Sequence, residues 1–398
     1  PLPKDLGSGV CQALDIVVGY EMTRKLRVGL IFGGRSGEHQ VSLVSAKGVM
    51  NAIDTDKYEI VPIGITLEGR WLASGDPHKA LCSGVAAESR PAALLAEPSQ
   101  KGLMRLEEQD RDLGIRAVRE SRIDVVFPIL HGPFGEDGTV QGLLELANIP
   151  YVGAGVMASA VGMDKCIFKA VMRAHGLPVV RDLLVKRRAW EKGAEDTLAR
   201  IESEIGYPCF VKPANLGSSV GISKARKRSE LRSTLDSAAR YDRRLIVEVA
   251  VDGAREIEVS VLGNDDPIAS VPGEIVPCNE FYDYAAKYID DRSELLIPAP
   301  IPDQTAEQVR QMALDAYLAI DCAGLARADF LMETGTAKVY VNEVNTLPGF
   351  TPISMYPKLW EASGISYTDL IDRLIQLALE RHSDKSRSAT SYDLPEEG

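Results

Sequence analysis

The chain has 398 residues, 45% hydrophobic and 26% charged, a composition that can bury a sizeable core in two or three domains. Its formal net charge of -12 argues against nucleic acid or an anionic membrane as the main partner, because both would repel an acidic surface. The six cysteines are scattered without a C-x-x-C pair. They suit a reducing compartment and predict neither a zinc site nor a disulfide framework.

The first residues stand apart from the rest of the chain. The segment that ends at Glu21 connects to no predicted element, and Met22 lies just before a clean strand. We therefore expect Met22 to be the native start, with residues 1–23 forming an extension ahead of the first domain. We expect no secretory signal, because a basic start, an apolar core and a cleavage site are missing. The tail, residues 383–398, is polar and charged, and we expect it to be disordered.

Predicted strands and helices alternate in the first domain, residues 24–153, which is typical of βα units around a parallel sheet. The predicted strands are 26–32, 58–66, 123–130 and 149–152, and the helices are 41–53 and 138–147. The stretch between residues 66 and 123 is polar and predicts no element.

Two further units follow, residues 154–248 and 249–382. The second unit is predicted to contain helices 157–175 and 229–241 with strands 207–212, 220–223 and 245–249. The third is predicted to contain strands 256–262, 325–332 and 339–345, an irregular segment 277–302, a helix that a capping box starts at Thr305, and a helix 368–379.

The predicted hairpin of strands 325–332 and 339–345 is the most informative stretch. Side chains two apart on a strand share a face. Folding the hairpin about Thr336 therefore sets Asp329 opposite Glu343 and Arg327 opposite Asn345. Two carboxylates and an amide on one face are hard oxygen ligands that suit Mg²⁺. The alternative is a hairpin whose polar face meets solvent.

Glycine-rich loops lie at several predicted strand ends. The loop GGRSGEH after the first strand lets backbone N–H groups approach a ligand, and Glu38 in it could bind a substrate cation; the alternative is an ordinary βα turn. His131 opens the loop HGPFGEDG at another strand end, where α/β sheets hold ligands. We interpret Glu136 and Asp137 in that loop as caps of the next helix.

Of two more glycine motifs, we interpret one as a simple turn and the other as a phosphate-binding loop. GAGVMA at residues 153–158 matches a dinucleotide fingerprint, but we interpret it as a turn that enters a helix, because its strand is short and is not the first of its sheet. Lys212 ends a strand and feeds the loop ANLGSSVG, whose backbone amides could close over phosphates. The alternative for Lys212 is a solvated lysine at a strand end.

Eight motifs in combination resemble the ATP-grasp superfamily and, within it, the D-alanine–D-alanine ligases. They run in order between about Lys25 and Glu380 and are GGRSGEHQVS, HGPFGEDG, MDK, VKPANLGSSVG, EIEVSVLG, FYDYAAKY, GLARADF and NEVNTLPGF. The resemblance implies an α/β fold that is α+β in part. It is the three-domain ATP-grasp fold, with an N-terminal parallel α/β sheet followed by two α+β domains that clasp ATP.

The resemblance also implies a site. Residues expected at the nucleotide and the metal are the phosphate lysines Lys165, Lys212 and Lys287, Ser219 in the phosphate flap, Glu248, Val249 and Val251 at adenine, Glu256 at ribose, and Asp329, Glu343 and Asn345 at two Mg²⁺ ions. Residues expected at the amino acids are Glu38 at the first ammonium with Ser218 and Tyr288 in a lid network, His131 near the first substrate, Arg327 and the Gly349 N–H at the oxyanion, and Ser354 and Met355 at the second substrate.

The activity that the resemblance implies is ATP-dependent ligation of two D-alanine molecules through an acyl phosphate, for peptidoglycan precursors. It further implies ATP and two Mg²⁺ ions, with Mn²⁺ as an alternative, and a cytoplasmic homodimer without nucleic-acid or membrane partners. The close alternative is a D-alanine–D-lactate ligase, but the presence of Tyr288 favours the dipeptide-forming enzyme. A nucleotide-binding protein without catalysis and a carboxylase-type ATP-grasp enzyme are more distant rivals. The residues indicate no base for the second amine.

Overall fold

A computed structural model of the protein describes residues 24–73, 75–84, 90–108, 114–217, 220–277, 294–336, 338–351 and 353–391. Its strands form three sheets that follow one another along the chain. The first sheet has the order β6-β5-β4-β3-β2-β1-β7 and consists of β1 (Leu26–Gly33), β2 (Tyr58–Ile65), β3 (Trp71–Ala73), β4 (Arg90–Leu94), β5 (Gly102–Glu108), β6 (Ile115–Arg122) and β7 (Val125–Ile129). Its helices are α1 (His39–Ala52), α2 (Pro77–Ser83) and α3 (Thr139–Leu146).

The first sheet is mixed, so the predicted parallel pairing holds for only part of it. Strand β1 pairs in parallel with β2 and β7, as expected for βα units. The strands from β2 to β6 pair in antiparallel order. They come from the stretch that predicted no element, because a sheet edge with one solvated face needs few apolar residues. Strand β6, IRAVRESR, is an example.

The segment predicted as one helix from residue 157 to residue 175 forms two helices, α4 (Val156–Met163) and α5 (Lys165–Ala174). Asp164 separates them, because its carboxylate accepts hydrogen bonds from the first N–H groups of α5 and caps that helix. Both helices contribute to the core of the third sheet through Ala158 and Phe168. Lys165 thus stands at the first position of a helix.

The second sheet is antiparallel throughout. Its order is β10-β9-β11-β8, with β8 (Asp182–Lys186), β9 (Cys209–Pro213), β10 (Ser223–Ala225) and β11 (Arg244–Val249). Helices α6 (Arg187–Lys192), α7 (Ala194–Glu204) and α8 (Arg228–Ala238) accompany it. Leucine and isoleucine side chains of α7 and α8 pack with those of the strands in one core.

The third sheet is built around β12 and the predicted hairpin. Its order is β15-β14-β12-β16-β17, with β13 paired to β12; the strands are β12 (Arg255–Gly263), β13 (Ile268–Ala269), β14 (Gly273–Val276), β15 (Glu294–Leu296), β16 (Gly324–Met332) and β17 (Val339–Asn345). Its helices are α9 (Asp303–Ala319), α10 (Met355–Ala362) and α11 (Tyr367–Lys385). Helix α9 begins two residues before Thr305, with Pro302 at the cap, so the predicted capping box is wrong.

The predicted register of the hairpin is confirmed. Arg327 pairs with Asn345 and Asp329 pairs with Glu343. Strand β12 adds Glu258 on the other side of Asp329. Three carboxylates therefore lie in a row across three adjacent strands.

Helix α11 returns to the first sheet. Leu370, Ile371 and Leu374 are fully buried in a core that also contains Val28 and Leu30 of β1. The last helix thus packs against the first sheet. The predicted domain boundaries at residues 153 and 248 stay a prediction. Among the residues that the structure describes, none of the helices has the length and the apolar character that crossing a bilayer requires.

Candidate active site

A cavity of about 1070 Å³ is lined by residues of the second and third sheets and by α1 and two loops of the first domain. Every predicted site residue in the described part of the chain lines it; these are Glu38, His131, Lys165, Lys212, Glu248, Val249, Val251, Glu256, Arg327, Asp329, Glu343, Asn345, Gly349, Ser354 and Met355. The other predicted residues, Ser218, Ser219, Lys287 and Tyr288, lie outside the described residues. The residues that the resemblance implied are thus far apart in the chain but line one cavity.

The hairpin forms one wall of the cavity, and Asp329 is its centre. The guanidinium of Arg327 donates two hydrogen bonds to Asp329, from Nε at 2.7 Å and from Nη2 at 2.8 Å. Asn345 donates its Nδ2 to the same carboxylate at 2.8 Å. The amide oxygen of Asn345 is therefore the atom of that side chain suited to a cation.

Arg327 is held between two carboxylates. Its Nε lies 2.9 Å from Glu258 Oε2, in addition to its contacts with Asp329. Burial alone would lower the pKa of the guanidinium, but Asp329 and Glu258 outweigh it and raise that pKa well above its ordinary value. The side chain is thus a fixed positive charge that faces the cavity.

The residues at this wall suit Mg²⁺, which keeps water and phosphate oxygens among its ligands, better than a metal ion whose ligands all come from the protein. Within the described ranges, no group of three or more His, Cys, Asp or Glu side chains could hold a metal ion. The predicted donors are two carboxylates, Asp329 and Glu343, and one amide, Asn345. Mg²⁺ takes one or two carboxylates and completes its shell with water and phosphate oxygens, so this donor set suits it.

A buried charge cluster lies behind the opposite wall. Glu248 of β11 contacts Lys212 Nζ at 2.6 Å and Lys169 Nζ at 2.9 Å, and Glu248 and Lys169 are 2% and 1% exposed. Burial alone would raise the pKa of Glu248, but the two ammonium groups outweigh it and lower that pKa to about 2. The carboxylate is therefore charged, and it orients Lys212 towards the cavity.

Sequence reasoning missed Lys169. It lies one turn after Lys165 on α5, and residues four apart on a helix are neighbours on its surface. That spacing, together with the Glu in the strand β11, was the signal that could have found it.

Lys165 links the third sheet to the loop that follows β9. Its ammonium group donates to the carbonyl of Leu216 at 2.8 Å and lies 3.9 Å from Glu343 Oε2. The backbone N–H of Lys165 also donates to Ala214. This lysine therefore stands between the base of the glycine–serine loop and the predicted metal ligands.

Two carboxylates, those of Glu38 and Glu136, approach each other at two glycines. A Cβ on Gly132 would lie 2.8 Å from Glu38 Oε2, and a Cβ on Gly217 would lie 3.0 Å from that oxygen and 3.6 Å from Glu136 Oε1. The Gly132 N–H donates to Glu136 Oε1 at 2.8 Å. Small residues are thus required here so that the two acids can face the cavity.

The interpretation of both acids as helix caps is wrong for Glu136 and only partly right for Asp137, because Gly138 occupies the cap position of α3. Asp137 accepts a hydrogen bond from the Thr139 N–H at the start of α3. Glu136 instead lines the cavity. The hydrogen bond from the Gly132 N–H holds the Glu136 side chain towards the cavity, and nothing in the sequence predicted this orientation.

Glu136 makes the stability of the protein pH-dependent. Burial, and next the charge of Glu38, raise the pKa of Glu136 from 4.5 to about 8. The folded protein therefore binds more protons than the unfolded chain between these values, and this carboxyl lowers stability as pH rises through that window.

We expect the melting temperature of ligand-free Glu136→Gln to fall less than that of the unsubstituted protein between about pH 5 and about pH 8. Thermal melts with Asp137→Asn as the control check this, and equal slopes for Glu136→Gln and the parent would contradict it.

Ser354 lies against Gly349. The hydroxyl of Ser354 accepts the Thr351 N–H at 3.0 Å and lies 2.7 Å from the Thr351 hydroxyl. A Cβ on Gly349 would lie only 2.8 Å from that Ser354 hydroxyl. The segment after β17 therefore brings a backbone amide and a hydroxyl to the same end of the cavity.

Comparisons with known proteins agree with this geometry. Family models described as "D-ala D-ala ligase N-terminus" and "D-ala D-ala ligase C-terminus" match residues 27–154 and 171–376. A D-alanine--D-alanine ligase of Natranaerobius thermophilus is 48% identical over 370 residues, which cover 93% of this chain and 99% of that protein.

Two solved structures are similar over nearly their whole length. The D-alanine-D-alanine ligase of Coxiella burnetii is 37% identical, with a TM-score of 0.76 and coverage of 91% of this chain and 96% of that one. The VanG D-Ala:D-Ser ligase of Enterococcus faecalis is 34% identical, with a TM-score of 0.78 and coverage of 89% and 100%. The chain belongs to the D-alanine–D-alanine ligase family.

Proposed function

We propose that this protein joins two D-alanine molecules into D-alanyl-D-alanine, with ATP converted to ADP and phosphate, for peptidoglycan precursors. The observation that carries the proposal is the single cavity in which Lys165, Lys212 and Arg327 face Glu38 and the pair Asp329 and Glu343. Cations and carboxylates that line one cavity suit phosphoryl transfer, where charge spreads over oxygens and no covalent nucleophile is needed. The family of the chain and the name of its relative at 48% identity support the same reaction.

The nucleotide would lie between the second and third sheets. We assign Lys165 and Lys212, with Lys287, to the phosphates, and Ser219 to the loop that covers them. Residues assigned to the base and the sugar are Glu248, Val249 and Val251 at adenine and Glu256 at ribose. Support for this placement comes from the charged Glu248 that orients Lys212 at 2.6 Å.

Asp329, Glu343 and Asn345 would hold two Mg²⁺ ions, or Mn²⁺ in their place. When bound, the ions neutralise charge on the transferred phosphoryl group. The guanidinium of Arg327 already neutralises part of the charge of Asp329, so this wall can come close to the phosphates of ATP.

The first half-reaction activates one D-alanine. Glu38 would receive the ammonium group of this D-alanine. The carboxylate of the same D-alanine attacks the γ-phosphorus of ATP, which gives an acyl phosphate and ADP. Lys165, beside Glu343, would hold the phosphoryl oxygens during transfer. Ser218 and Tyr288 would join Glu38 in closing the site, since an acyl phosphate must be kept from water.

The second half-reaction forms the peptide bond. The amine of the second D-alanine attacks the acyl carbon, and phosphate leaves with the oxygen that bridged carbon and phosphorus. Arg327 and the Gly349 N–H would stabilise the oxyanion of the tetrahedral intermediate. Ser354 and Met355 would hold the second substrate, with its carboxylate at the Ser354 hydroxyl. We further propose that the protein acts as a cytoplasmic homodimer.

The proposal predicts D-alanine-dependent release of ADP that requires Glu343. Loss of a metal ligand removes several kcal/mol of transition-state stabilisation, so Glu343→Gln should lower turnover by at least about 100-fold. The matched control is Glu307→Gln on the exposed surface of α9, which should keep full activity. Unchanged turnover in Glu343→Gln would refute the metal assignment.

The D-alanine–D-lactate alternative is not favoured, since the Natranaerobius thermophilus relative and the Coxiella burnetii structure both carry the name D-alanine–D-alanine ligase. Product masses at neutral pH, from D-alanine alone and with added D-lactate, separate the two reactions. We expect the dipeptide as the dominant product, and a dominant depsipeptide would overturn this choice.

A further inference from the structure

The four residues Leu347-Pro348-Gly349-Phe350 after β17, here called the oxyanion segment, are held at both ends by side chains from the loop after β7 and from α1. The Leu347 carbonyl lies 3.1 Å from Nδ1 of His131, in the loop after β7. The Phe350 N–H donates to the hydroxyl of Ser45, on α1, at 3.2 Å. Gly349, whose N–H we assign to the oxyanion, lies between these two attachment points.

The two attachment points are joined to each other. The Ser45 Oγ lies 3.3 Å from His131 Nε2. Because a carbonyl only accepts, His131 must carry its proton on Nδ1, which leaves Nε2 to accept from the Ser45 hydroxyl. The hydrogen bonds then run from the Phe350 N–H through Ser45 and His131 to the Leu347 carbonyl, in a consistent direction.

The surroundings keep the imidazole in this neutral form. Ser45 is 0% and His131 4% exposed. Burial lowers the pKa of His131 and outweighs Glu38 and the hydrogen bond to the Leu347 carbonyl, which both raise it; Arg327 lowers it slightly further. The Ser36 hydroxyl also donates to the His131 carbonyl at 2.7 Å, so the ring is fixed from its backbone as well.

Helix α1 lies directly against the far end of the oxyanion segment. A Cβ on Gly48 would come within 2.7 Å of the Phe350 carbonyl, which also accepts a hydrogen bond from the Tyr367 hydroxyl at 2.7 Å. The Phe350 ring is fully buried against Phe127 of β7. These contacts hold the carbonyl and the ring of Phe350, whereas the Phe350 N–H and the Leu347 carbonyl on either side of Gly349 are held by Ser45 and His131.

We propose that Ser45 and His131 are positioning residues that fix the Gly349 N–H at the reacting carbonyl group. This inference rests on the proposed function, since it gives a role to an amide that the ligase reaction needs. Neither side chain would touch the transferred phosphoryl group. A hydrogen-bond donor that is displaced from the oxyanion loses its effect in the transition state, whereas substrate binding is little changed.

Kinetics of Ser45→Ala test the inference. We expect kcat to fall by about 10- to 100-fold while KM for ATP and for D-alanine stays within about twofold. The matched control is Ser42→Ala, one turn earlier on α1: Ser42 is equally buried, but its hydroxyl accepts from the Gly33 N–H and donates to the Ile129 carbonyl. A kcat for Ser45→Ala no lower than that of an equally folded Ser42→Ala would overturn the inference.

A second measurement does not depend on activity. In ¹⁵N spectra of the full chain, with His131 assigned by its loss in His131→Gln, we expect a neutral ring protonated on Nδ1. The Nε2 resonance should shift in Ser45→Ala and stay in place in Ser42→Ala. A ring protonated on Nε2, or an imidazolium at neutral pH, would overturn the inference. If the parent protein releases no ADP with D-alanine, the proposed function fails and these spectra alone decide whether the hydrogen-bonded connection exists.

Discussion

Replacement of Arg327 by methionine is expected to lower kcat by at least about 100-fold, which is the usual cost of losing one oxyanion donor. The same change should destabilise the folded protein by about 3–5 kcal/mol, because it leaves buried carboxylates without their partner. Glu258 and Asp329 both contact the guanidinium at 2.7–2.9 Å, so two acids lose their counter-charge at once. Urea unfolding and steady-state kinetics of the purified variant measure the two effects separately.

The control for this prediction is Arg327→Lys. A lysine keeps the positive charge but cannot reproduce the two parallel N–H bonds that Arg327 makes to Asp329. We therefore expect it to recover most of the stability and little of the activity. Full turnover in Arg327→Met would remove Arg327 from the proposed chemistry, and unchanged stability would contradict the role of the ion pairs.

The second large effect is expected at the buried pair of Lys169 and Glu248. Their side chains are 1% and 3% exposed and 2.9 Å apart, so solvent does not screen their interaction. Lys169→Met should cost about 3–5 kcal/mol of the free energy of unfolding, since it leaves Glu248 with Lys212 alone. An equivalent change at the exposed Lys186 should stay within about 0.5 kcal/mol.

Changes in pH test the same pair. Burial raises the pKa of Glu248, but the charges of Lys169 and Lys212 lower it by more. The folded value is about 2, against an ordinary value of 4.5. This depressed pKa contributes stability that is fully present above 4.5 and is lost as the pH falls towards 2. We expect Lys169→Met to weaken this pH dependence and the double variant with Glu248→Gln to abolish it. If the losses of the single variants simply add in the double variant, the pair is not coupled.

The hairpin was predictable from sequence because its signal is local. Alternating polar and apolar residues fix which side chains share a face, and folding about Thr336 places Asp329 opposite Glu343. The shift of register between Asp329 and Phe330, nearer the turn, had no signal in the sequence. The break between α4 and α5 carried a local signal too, since Asp164 is a preferred cap residue.

The other features depend on tertiary packing. Nothing in the sequence around Arg327 says that it pairs with Glu258, which is distant along the chain and reaches it across β12 and β16. Lys169 is an ordinary helical lysine until β11 places Glu248 against it and removes water. Strands β3–β6 form an edge with one solvated face, so their apolar pattern is too weak to predict.

In the proposed reaction, a D-alanine carboxylate becomes an acyl phosphate before the peptide bond forms. D-Alanine labelled with ¹⁸O in its carboxylate tests this most directly, by mass analysis of the phosphate and the dipeptide formed with ATP. We expect one labelled oxygen in each phosphate released, because the oxygen that attacks the γ-phosphorus leaves with it. Unlabelled phosphate formed together with D-alanyl-D-alanine would rule out the acyl phosphate.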